Sequence, residues 1–334
     1  MEKDEDEEAF RARLNEKLPS DVRVFCVTRC SNRFNAKNCT SNREYSYYLP
    51  TFMMTKISDL YFGTGKNSKP TEPPGEKDPK EEEKKPASGI KIMKNEDEDK
   101  QFENQDAYIH KNIDHIPASH YEKLYQFRLS EGDKARVQKL FQFFLGTKKY
   151  HNYSKEVKPH QTTAMRYMIE LRADTFMYIN RETFDVTTED DPNAIQFIHF
   201  FLKGQAFLYN QIRKMVGSII QVFRGGLDDT FLNNTFNDNY VSVCLAPGDG
   251  LLLEQVCYDK YNQLNDNKKS EIMLKYVAQS KEVLSFREDI VRQIAKRELT
   301  DKAFSRWISV FDDFCEDYYI PRPAIADKVI AATE

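Results

Sequence analysis

One segment of twenty residues, from Ile198 to Gly217, changes its apolar period halfway along. In its first part every second residue is apolar, as in a buried β-strand. After Gly204 the apolar residues recur at the three- and four-residue spacing of a helix. The strand set is Ile198, Phe200 and Leu202, and the helix set is Phe207, Leu208, Ile212, Met215 and Val216. The segment therefore predicts a strand followed directly by an amphipathic helix.

The helical part of this segment also carries an arginine, Arg213, that falls off its apolar side. A guanidinium held on a rigid element directly after a buried strand can position a carboxylate or a phosphate. A solvated helix residue is the simpler interpretation when the spacing is considered alone. Both interpretations remain open at this point.

The composition sets broad limits on the fold. A chain of 334 residues with 40% hydrophobic residues, including 23 Phe and 18 Tyr, can bury a sizeable core in one large or two ordinary domains. The sequence contains no run of about 18 apolar residues, so no membrane-spanning helix is expected. The acidic first eight residues argue against a secretory signal or a mitochondrial presequence on the chain as given.

The six cysteines show no Cys-x-x-Cys spacing. Cys26, Cys30 and Cys39 could supply ligands to a metal, but a zinc site needs four well-placed groups and no pair of histidines lies close to them. Reduced thiols in an intracellular protein are the favoured interpretation, and no metal site is expected.

The net charge of −4 is distributed unevenly along the chain. Residues 22–48, 146–172 and 201–226 together carry 15 Lys or Arg and three Asp or Glu. The acidic residues concentrate in the first eight positions, in the middle of the chain and in its C-terminal third. A basic surface beside acidic tails is typical of a protein that binds a polyanion, and a coincidence of composition is the alternative.

The composition also divides the chain into regions. Residues 63–119 are rich in Lys, Glu, Asp, Pro and Asn, and they predict a charged disordered insertion because they cannot bury enough apolar surface to offset their ordering entropy. Residues 1–62 and 120–260 on either side of it predict ordered structure. Residues 261–334 predict a helical C-terminal extension, which we expect to pack on the outer face of the fold.

Local patterns predict the individual elements, with order after the insertion resuming at Ser130, a helix N-cap. Strands are expected at Val22–Val27, Glu44–Leu49 and Thr162–Leu171. Helices are expected at Glu7–Leu18, Lys134–Leu145, Ile272–Val283, Ser285–Ala295 and Asp301–Phe314, the last capped by Thr300 and containing Trp307, the single tryptophan.

Four motifs occur in a fixed order along the chain. They are Phe34-Asn35-Ala36 followed by Arg43-Glu44-Tyr45-Ser46-Tyr47, then Gly146-Thr147-Lys148-Lys149-Tyr150-His151-Asn152-Tyr153, then the segment Lys203 to Gly217, and finally Leu245-Ala246-Pro247-Gly248-Asp249-Gly250-Leu251-Leu252-Leu253. Together they resemble the motifs of the TruA-like tRNA pseudouridine synthases in their eukaryotic form. The resemblance covers residues 8–260 apart from the insertion. Four motifs in order are a far more specific signal than one.

This resemblance implies a fold and an activity. The fold is α+β, with antiparallel pseudouridine synthase-like sheets flanked by helices and a positively charged cleft between two related halves. Residues 1–62 would be the remainder of the N-terminal catalytic half, and residues 120–260 the C-terminal half of the synthase core. The implied activity is the isomerisation of uridine to pseudouridine in tRNA or in other structured RNA. It needs no cofactor and no metal.

The resemblance also implies roles for particular side chains. Tyr45 would be the aromatic wall for the uracil and a proton acceptor or donor at C5, although a core aromatic residue is the alternative. Arg213 would be the partner that keeps a catalytic carboxylate ionised. His151 could equally be a structural histidine. The expected RNA contacts are Arg33, Arg43, Lys148, Lys149, His151, Asn152, Lys203, Gln211 and Lys214.

One motif of the family has no match in these 334 residues, namely Arg-Thr-Asp-x-Gly-Val, which carries the catalytic Asp. The nearest strings, Arg172-Ala173-Asp174-Thr175 and Arg224-Gly225-Gly226-Leu227-Asp228, have neither the right flanks nor the right position. Three interpretations follow. The chain is part of an active synthase whose upstream residues are missing, or an inactive paralogue that serves as an RNA-binding or scaffold subunit, or an enzyme whose site is completed by the Asp of a partner chain.

The expected partner is therefore tRNA or another structured RNA, with no membrane association. The oligomeric state is not predicted by the sequence. A nuclear or cytoplasmic location is expected, and a mitochondrial one if an upstream segment exists.

Overall fold

The computed structural model describes residues 6–55, 118–225, 227, 229–266, 274 and 280–315. Almost all of the predicted insertion at 63–119 lies outside the described residues. Its last two positions, 118 and 119, already belong to a helix. The helix predicted at Ile272–Val283 also lies largely outside the described residues.

The described part of the chain contains both helices and strands. The helices are α1 (Glu7–Lys17), α2 (Ala118–Gln126), α3 (Glu131–Gln142), α4 (Gln211–Gly225), α5 (Thr230–Asn234), α6 (Asp259–Asp266), α7 (Lys281–Asp301) and α8 (Ala303–Cys315). The strands are β1 (Asn42–Pro50), β2 (Gly146–Lys149), β3 (Met165–Asn180), β4 (Val186–Thr187), β5 (Ala194–Gly204) and β6 (Leu251–Cys257). Short 3-10 turns occur at Thr51–Met54, His151–Tyr153 and Thr162–Ala164. The predicted α+β class is confirmed.

The strands form one antiparallel sheet in the order β2-β3-β5-β1-β6, and β4 adds to the far end of β3. The register places Tyr45 opposite Leu202 and Tyr47 opposite Phe200, so these side chains share one face of the sheet. Ser46 lies opposite Phe201 and points to the other face. The strand predictions for 44–49 and 198–202 are confirmed, and the strand predicted at 162–171 continues to Asn180.

The helices α3 and α4 supply the main cover of the first face. Phe141 of α3 meets Phe200 edge-on with ring centroids 4.9 Å apart. Most residues of α4 are buried, including Ile212, Met215 and Val216 of the predicted apolar side. The helix α3 begins after Ser130, whose side chain accepts a hydrogen bond from the backbone N–H of Asp133, as predicted for an N-cap.

The strand predicted at Val22–Val27 is wrong. This segment has no regular secondary structure. Its backbone is held by a side chain, because the amide of Asn15 in α1 both accepts from the N–H of Val24 and donates to its carbonyl, each at 2.8 Å. A side chain that satisfies both backbone groups replaces a partner strand at that position.

Three other element predictions also need correction. Order resumes before Ser130, because α2 already packs on β5 with Leu124 and Tyr125 buried. The helix predicted at 285–295 is part of the single longer helix α7. The last helix begins at Ala303, and Thr300 lies inside α7, where its hydroxyl donates to the carbonyl of Lys296 and caps nothing downstream.

The helices α7 and α8 belong to the same core as the sheet. Ile294, Phe304, Trp307 and Ile308 are buried in one hydrophobic cluster with the residues of β1, β5 and α4. The C-terminal extension is therefore integrated into the fold that carries the predicted site.

Candidate functional site

Arg213 lies in the first turn of α4 and is joined twice to the loop before β6. Its Nε donates to the carbonyl oxygen of Ala246 at 2.7 Å, and the backbone N–H of Ala246 donates to the carbonyl oxygen of Arg213 at 3.2 Å. We call residues 245–250 the site loop. Within the described part of the chain, the two terminal amino groups of Arg213 have no further hydrogen-bond partner. The guanidinium is thus fixed through one nitrogen and keeps two donors for a ligand.

Glycines make the close packing of the site loop feasible. A Cβ atom on Gly217 in α4 would lie 2.0 Å from the carbonyl oxygen of Cys244, so the chain leading into the loop runs directly across the helix at this point. A Cβ on Gly250 would lie 2.3 Å from the carbonyl oxygen of Tyr48 in β1. A Cβ on Gly248 would lie 3.7 Å from the guanidinium carbon of Arg213, which is the nearest atom there. Larger residues at 217 and 250 would push the loop off the helix and the strand.

Tyr47 supports the same loop from the sheet. It is fully buried, and its hydroxyl donates to the carbonyl oxygen of Pro247 at 2.6 Å. Burial raises the pKa of this phenol well above its ordinary value, while the nearby Arg213 acts in the opposite direction. The hydroxyl therefore stays protonated and serves as a donor to the loop.

Tyr45 lies two residues earlier on the same face of β1, nearer the end of the strand. It is half-buried and meets Phe207 edge-on, with ring centroids 5.0 Å apart. Phe207 in turn packs over Gly204, where a Cβ would lie 2.7 Å from its ring. The pairing of β1 with β6 is irregular between Glu44 and Tyr45, and such irregularities commonly re-aim a side chain beside a functional site. Tyr45 thus keeps part of its ring accessible to a ligand.

The structure gives internal roles to three of the residues expected to contact RNA. Asn152 is buried, and its side chain donates to the carbonyls of Thr235 and Asn239 and accepts from the N–H of Val241. His151 is buried beside it with Nε2 at 3.1 Å from the carbonyl of Asn239, and burial lowers its pKa. These side chains hold the 235–241 loop and do not face a partner.

Gln211 is the third of these. It is fully buried, and its side-chain oxygen accepts from the N–H of Leu208 at 2.9 Å, which closes the turn before α4. The pattern had placed it off the apolar side of the helix. Burial of a polar side chain requires an internal hydrogen-bond partner, and the 208 amide supplies it.

The cationic residues of the prediction lie nearer the surface. Arg33 is exposed and Arg43 is partly exposed. The others make local contacts: Lys148 lies over the ring of Phe236, Lys149 pairs with Asp238, Lys203 pairs with Glu44 at 2.8 Å, and Lys214 donates to the carbonyl of Asn152. Each of these four ammonium groups is thus partly exposed and has a local contact within the chain.

Sequence patterns did not identify several residues that build the site. Tyr47 and Gly217 lie within motifs that assign them no role, Trp307 was predicted only as part of the last helix, and Arg297 lies between two predicted helices. Each acts on the site loop across a long stretch of sequence, for example 200 residues between Tyr47 and Pro247. Only the tertiary structure brings such residues together.

The described residues form neither a cluster of metal ligands nor a membrane-spanning helix. Across residues 6–55 and 118–315, as far as they are described, no group of three or more His, Cys, Asp or Glu side chains could hold a metal ion. None of the helices described there is both long and apolar enough to cross a bilayer.

The antiparallel sheet flanked by helices agrees with the fold of the tRNA pseudouridine synthases. The sequence profile of these synthases matches residues 140–259, which include β2 to β6, α4 and the site loop. This part of the chain is therefore similar to that family.

Several named relatives are similar to this chain in sequence. The mouse protein named pseudouridylate synthase 1 homolog is 25% identical over 298 residues, covering 89% of this chain and 53% of its own. Its human counterpart is 25% identical and is covered over 52% of its length. The tRNA pseudouridine synthase 1 of Saccharomyces cerevisiae is 26% identical, with 76% of this chain and 47% of its own covered. The chain thus spans about half the length of the curated relatives it matches.

Proposed function

We propose that this chain forms part of the catalytic site of a tRNA pseudouridine synthase, which isomerises uridine to pseudouridine. The proposal rests on the hydrogen bonding of the Arg213 guanidinium. Its Nε is anchored to the site loop at 2.7 Å, while its two terminal amino groups have no partner in the described structure. A fork of two donors on a fixed guanidinium fits the two oxygens of a carboxylate.

The proposed reaction needs few chemical groups. The bond between N1 of uracil and C1′ of the ribose breaks, C5 bonds to C1′, C5 loses its proton and N1 gains one. The overall change is an isomerisation, so no electrons or groups are exchanged with a co-reactant. A carboxylate must remain ionised close to the sugar and the base, and an adjacent guanidinium lowers the pKa of such a group. Arg213 takes that role in the proposal.

The base must also leave its stack to be reached. Extruding a nucleotide costs a few kcal/mol, which is recovered by contacts of the base in a pocket. We assign the aromatic wall of that pocket to Tyr45, which rests edge-on against Phe207. Its position at the end of β1 places it on the same sheet face as Tyr47, which contacts the site loop. The wall and the guanidinium are therefore supported by one strand and one loop.

The carboxylate is the component that this chain does not supply by any matching motif. We therefore assign it to another polypeptide segment, either of the same protein or of a partner chain. It would approach the terminal amino groups of Arg213. The acidic residue of the site loop, Asp249, does not fill this role, because it pairs with Arg297 at 2.6 Å.

We propose that tRNA is bound through cations that are exposed or partly exposed. Arg33, Arg43, Lys148, Lys149, Lys203 and Lys214 would contact the phosphate backbone and would make binding depend on salt. His151, Asn152 and Gln211 would act only indirectly, by holding the loops around this surface. A nuclear or cytoplasmic location, where tRNA is processed, goes with the proposal.

Release of tritium from tRNA labelled at C5 of uridine tests the activity directly, because the C5 proton is lost. We expect turnover by the endogenous protein, whose intact mass is measured first. In that protein, Arg213→Lys should lower kcat by about 100-fold or more, because an ammonium lacks the fork and the Nε anchor. Binding of tRNA should change by less than about threefold, since the charge is kept.

Arg13→Lys is the matched control, because Arg13 is an exposed arginine on α1. It should leave both kcat and tRNA binding unchanged. A protein of 39.2 kDa that binds tRNA but releases no tritium would overturn the catalytic proposal. It would support the RNA-binding paralogue instead. An Arg213→Lys variant with full turnover would remove the assigned role of the guanidinium.

A further inference from the structure

The site loop is held by an almost continuous series of contacts from outside it. The carbonyl of Leu245 accepts from the indole Nε1 of Trp307 at 2.9 Å, and the next carbonyl, that of Ala246, accepts from Arg213. The carbonyl of Pro247 accepts from Tyr47. Consecutive residues of the loop are therefore tied in turn to the C-terminal extension, to α4 and to the sheet.

A second contact from the extension lies at the other end of the loop. Arg297 of α7 pairs with the carboxylate of Asp249 through NH1 at 2.6 Å. Asp249 is only 21% exposed, whereas Arg297 is 59% exposed. The arginine thus reaches in from the surface to a largely enclosed carboxylate. The two contacts, from Trp307 and Arg297, bracket the three residues that touch Arg213 and Tyr47.

The C-terminal extension can hold the site loop in place because its own helices are held firmly in the core. Trp307 is 4% exposed and stacks on Phe311 with ring centroids 4.5 Å apart. The carboxylate of Glu298, one residue after Arg297, is fully buried and accepts from the backbone N–H groups of Phe304 and Ser305. This carboxylate locks the junction of α7 and α8. A buried donor on a locked helix defines the place of its acceptor more sharply than a flexible surface contact does.

We propose that Trp307 and Arg297 are positioning residues for Arg213. They act through the site loop: the helical extension sets the place of the Ala246 carbonyl, and that carbonyl sets the orientation of the guanidinium. The inference rests on the proposed function and deepens it, because it makes the C-terminal extension part of the machinery of the site. Displacement of a catalytic group by about 1 Å can lower a rate by about 100-fold.

Turnover of labelled tRNA by the full protein gives the first test. In Trp307→Phe the buried ring is kept and the indole donor is lost. We expect kcat to fall by about tenfold with KM unchanged, since the guanidinium acts on the reacting groups and not on tRNA binding. Arg297→Ala should show a smaller fall of the same kind, and Arg297→Lys should restore most of it because the charge on Asp249 is again paired.

Matched controls separate positioning from general destabilisation. Val291→Ala removes buried packing from the same helix α7 but removes no hydrogen bond or ion pair to the loop. Arg292→Ala removes a cation from α7, where it pairs with Asp289. Both should keep the wild-type kcat, even if Val291→Ala lowers the melting temperature as much as Trp307→Phe does. Equal losses of kcat in Val291→Ala and Trp307→Phe would overturn the inference.

A spectroscopic readout tests the inference without relying on turnover. The Nε–H of Arg213 is hydrogen-bonded to Ala246, so its NMR signal should exchange slowly with water. In Trp307→Phe and Arg297→Ala we expect this exchange to become at least about tenfold faster, with no such change in Val291→Ala. If the wild-type protein showed no turnover, the proposed function would fail while this measurement still decided the positioning. An unchanged exchange rate in both variants would refute it.

Discussion

At the scale of single residues, the absence of a side chain at Gly217 matters as much as the presence of one at Arg213. Both lie on α4, one turn apart, and both contact residues 244–246, where the chain enters the site loop. Gln221, one turn further, accepts from the N–H of Cys244 at 2.9 Å. Three successive turns of one helix therefore align this segment along its length.

Gly217→Ala should destabilise the protein by about 3 kcal/mol, because the added methyl would lie 2.0 Å from the carbonyl oxygen of Cys244 and neither backbone can move freely. Urea unfolding followed by circular dichroism measures this difference.

Gly132→Ala is the matched control on the helix α3. The nearest atom to its added methyl is the hydroxyl of Ser130 at 3.8 Å, so there is room for it. Alanine is the better helix former, and we expect a gain of about 0.5–1 kcal/mol. Equal effects of the two substitutions would show that the helix and the loop are not in contact at Gly217.

His199 lies on the face of the sheet opposite Tyr45 and Tyr47. Its Nε2 is 2.7 Å from the hydroxyl of Ser46, and its ring stacks on that of Tyr48 with centroids 4.8 Å apart. Burial, with a smaller effect of Arg172, lowers the pKa of His199 to about 4. The neutral imidazole is therefore the form that the folded protein accommodates.

This lowered pKa predicts a loss of stability in mild acid. An unfolded histidine has a pKa of about 6.5, so the stabilisation is complete above that pH and is lost as the pH falls towards the folded pKa. The loss should approach about 3 kcal/mol near pH 4. His199→Gln should flatten the fall between pH 6.5 and 4 in urea unfolding, whereas His160→Gln, at an exposed position, should retain it. Parallel curves for the wild type and His199→Gln would disprove the assignment.

At the scale of elements, the junction between α7 and α8 shows how a helix can be capped from a distance. Lys302 takes a left-handed conformation with φ of 57° and ends α7. The N–H groups at the start of α8, which have no acceptor within the helix, then donate to the buried carboxylate of Glu298, at 2.7 Å for Phe304 and 3.1 Å for Ser305. Tyr125 of α2 donates to the same carboxylate at 3.1 Å. One side chain thus joins three helices.

Glu298→Ala should lower the free energy of unfolding by about 3 kcal/mol, because it leaves buried N–H and hydroxyl donors without an acceptor. Urea unfolding is again the measurement. Glu288→Ala on the same helix removes an exposed carboxylate whose pair with Arg292 is long, at 3.8 Å. Its effect should stay within about 0.5 kcal/mol. A small effect of Glu298→Ala would mean that the cap is not needed to start α8.

These elements also show what the sequence can predict. The strands around Tyr47 and Phe200 and the N-cap at Ser130 were predicted because alternation and capping are local signals. The cap of α8 was misassigned to Thr300 because the true cap, Glu298, acts across a break in the helix. The strand predicted at Val22–Val27 failed because the side chain of Asn15 competes for its backbone. Side chains outside the local pattern decide whether such a cap or strand forms, and these partners cannot be recognised from a single sequence.

The residues of the site differ in the same way in how far the sequence predicts them. Local motifs pointed to Arg213 and Tyr45, and the structure places Gly248 beside the first and Phe207 beside the second. The buried Gln211, His151 and Asn152 were not distinguishable from surface polar residues, because burial depends on elements far away in the sequence. The contacts of Trp307 and Arg297 with the site loop were not foreseen for the same reason.

At the scale of the whole molecule, one hydrophobic core is formed by the helices α2 to α5, α7 and α8 and the strands β1, β3 and β5. Trp307, the single tryptophan, lies in α8 and reports on the extension, whereas far-UV circular dichroism reports on all helices and strands. The transitions of the two signals in urea should coincide, as expected for one cooperative unit. A tryptophan transition at clearly lower urea would show that α7 and α8 unfold separately and would weaken the link between the extension and the site.

The position of β1 within the sheet has a consequence for the order of folding. This strand is synthesised before both of its neighbours, β5 and β6, which come later in the chain. Ser46, for example, lies 153 residues before its contact His199. Chains dominated by such distant pairings fold slowly, and their unpaired strands are open to aggregation until the partners emerge. On the ribosome β1 therefore remains unpaired until β5 and β6 have been synthesised. A chaperone that shields residues 42–50 during that interval should raise the yield of folded protein.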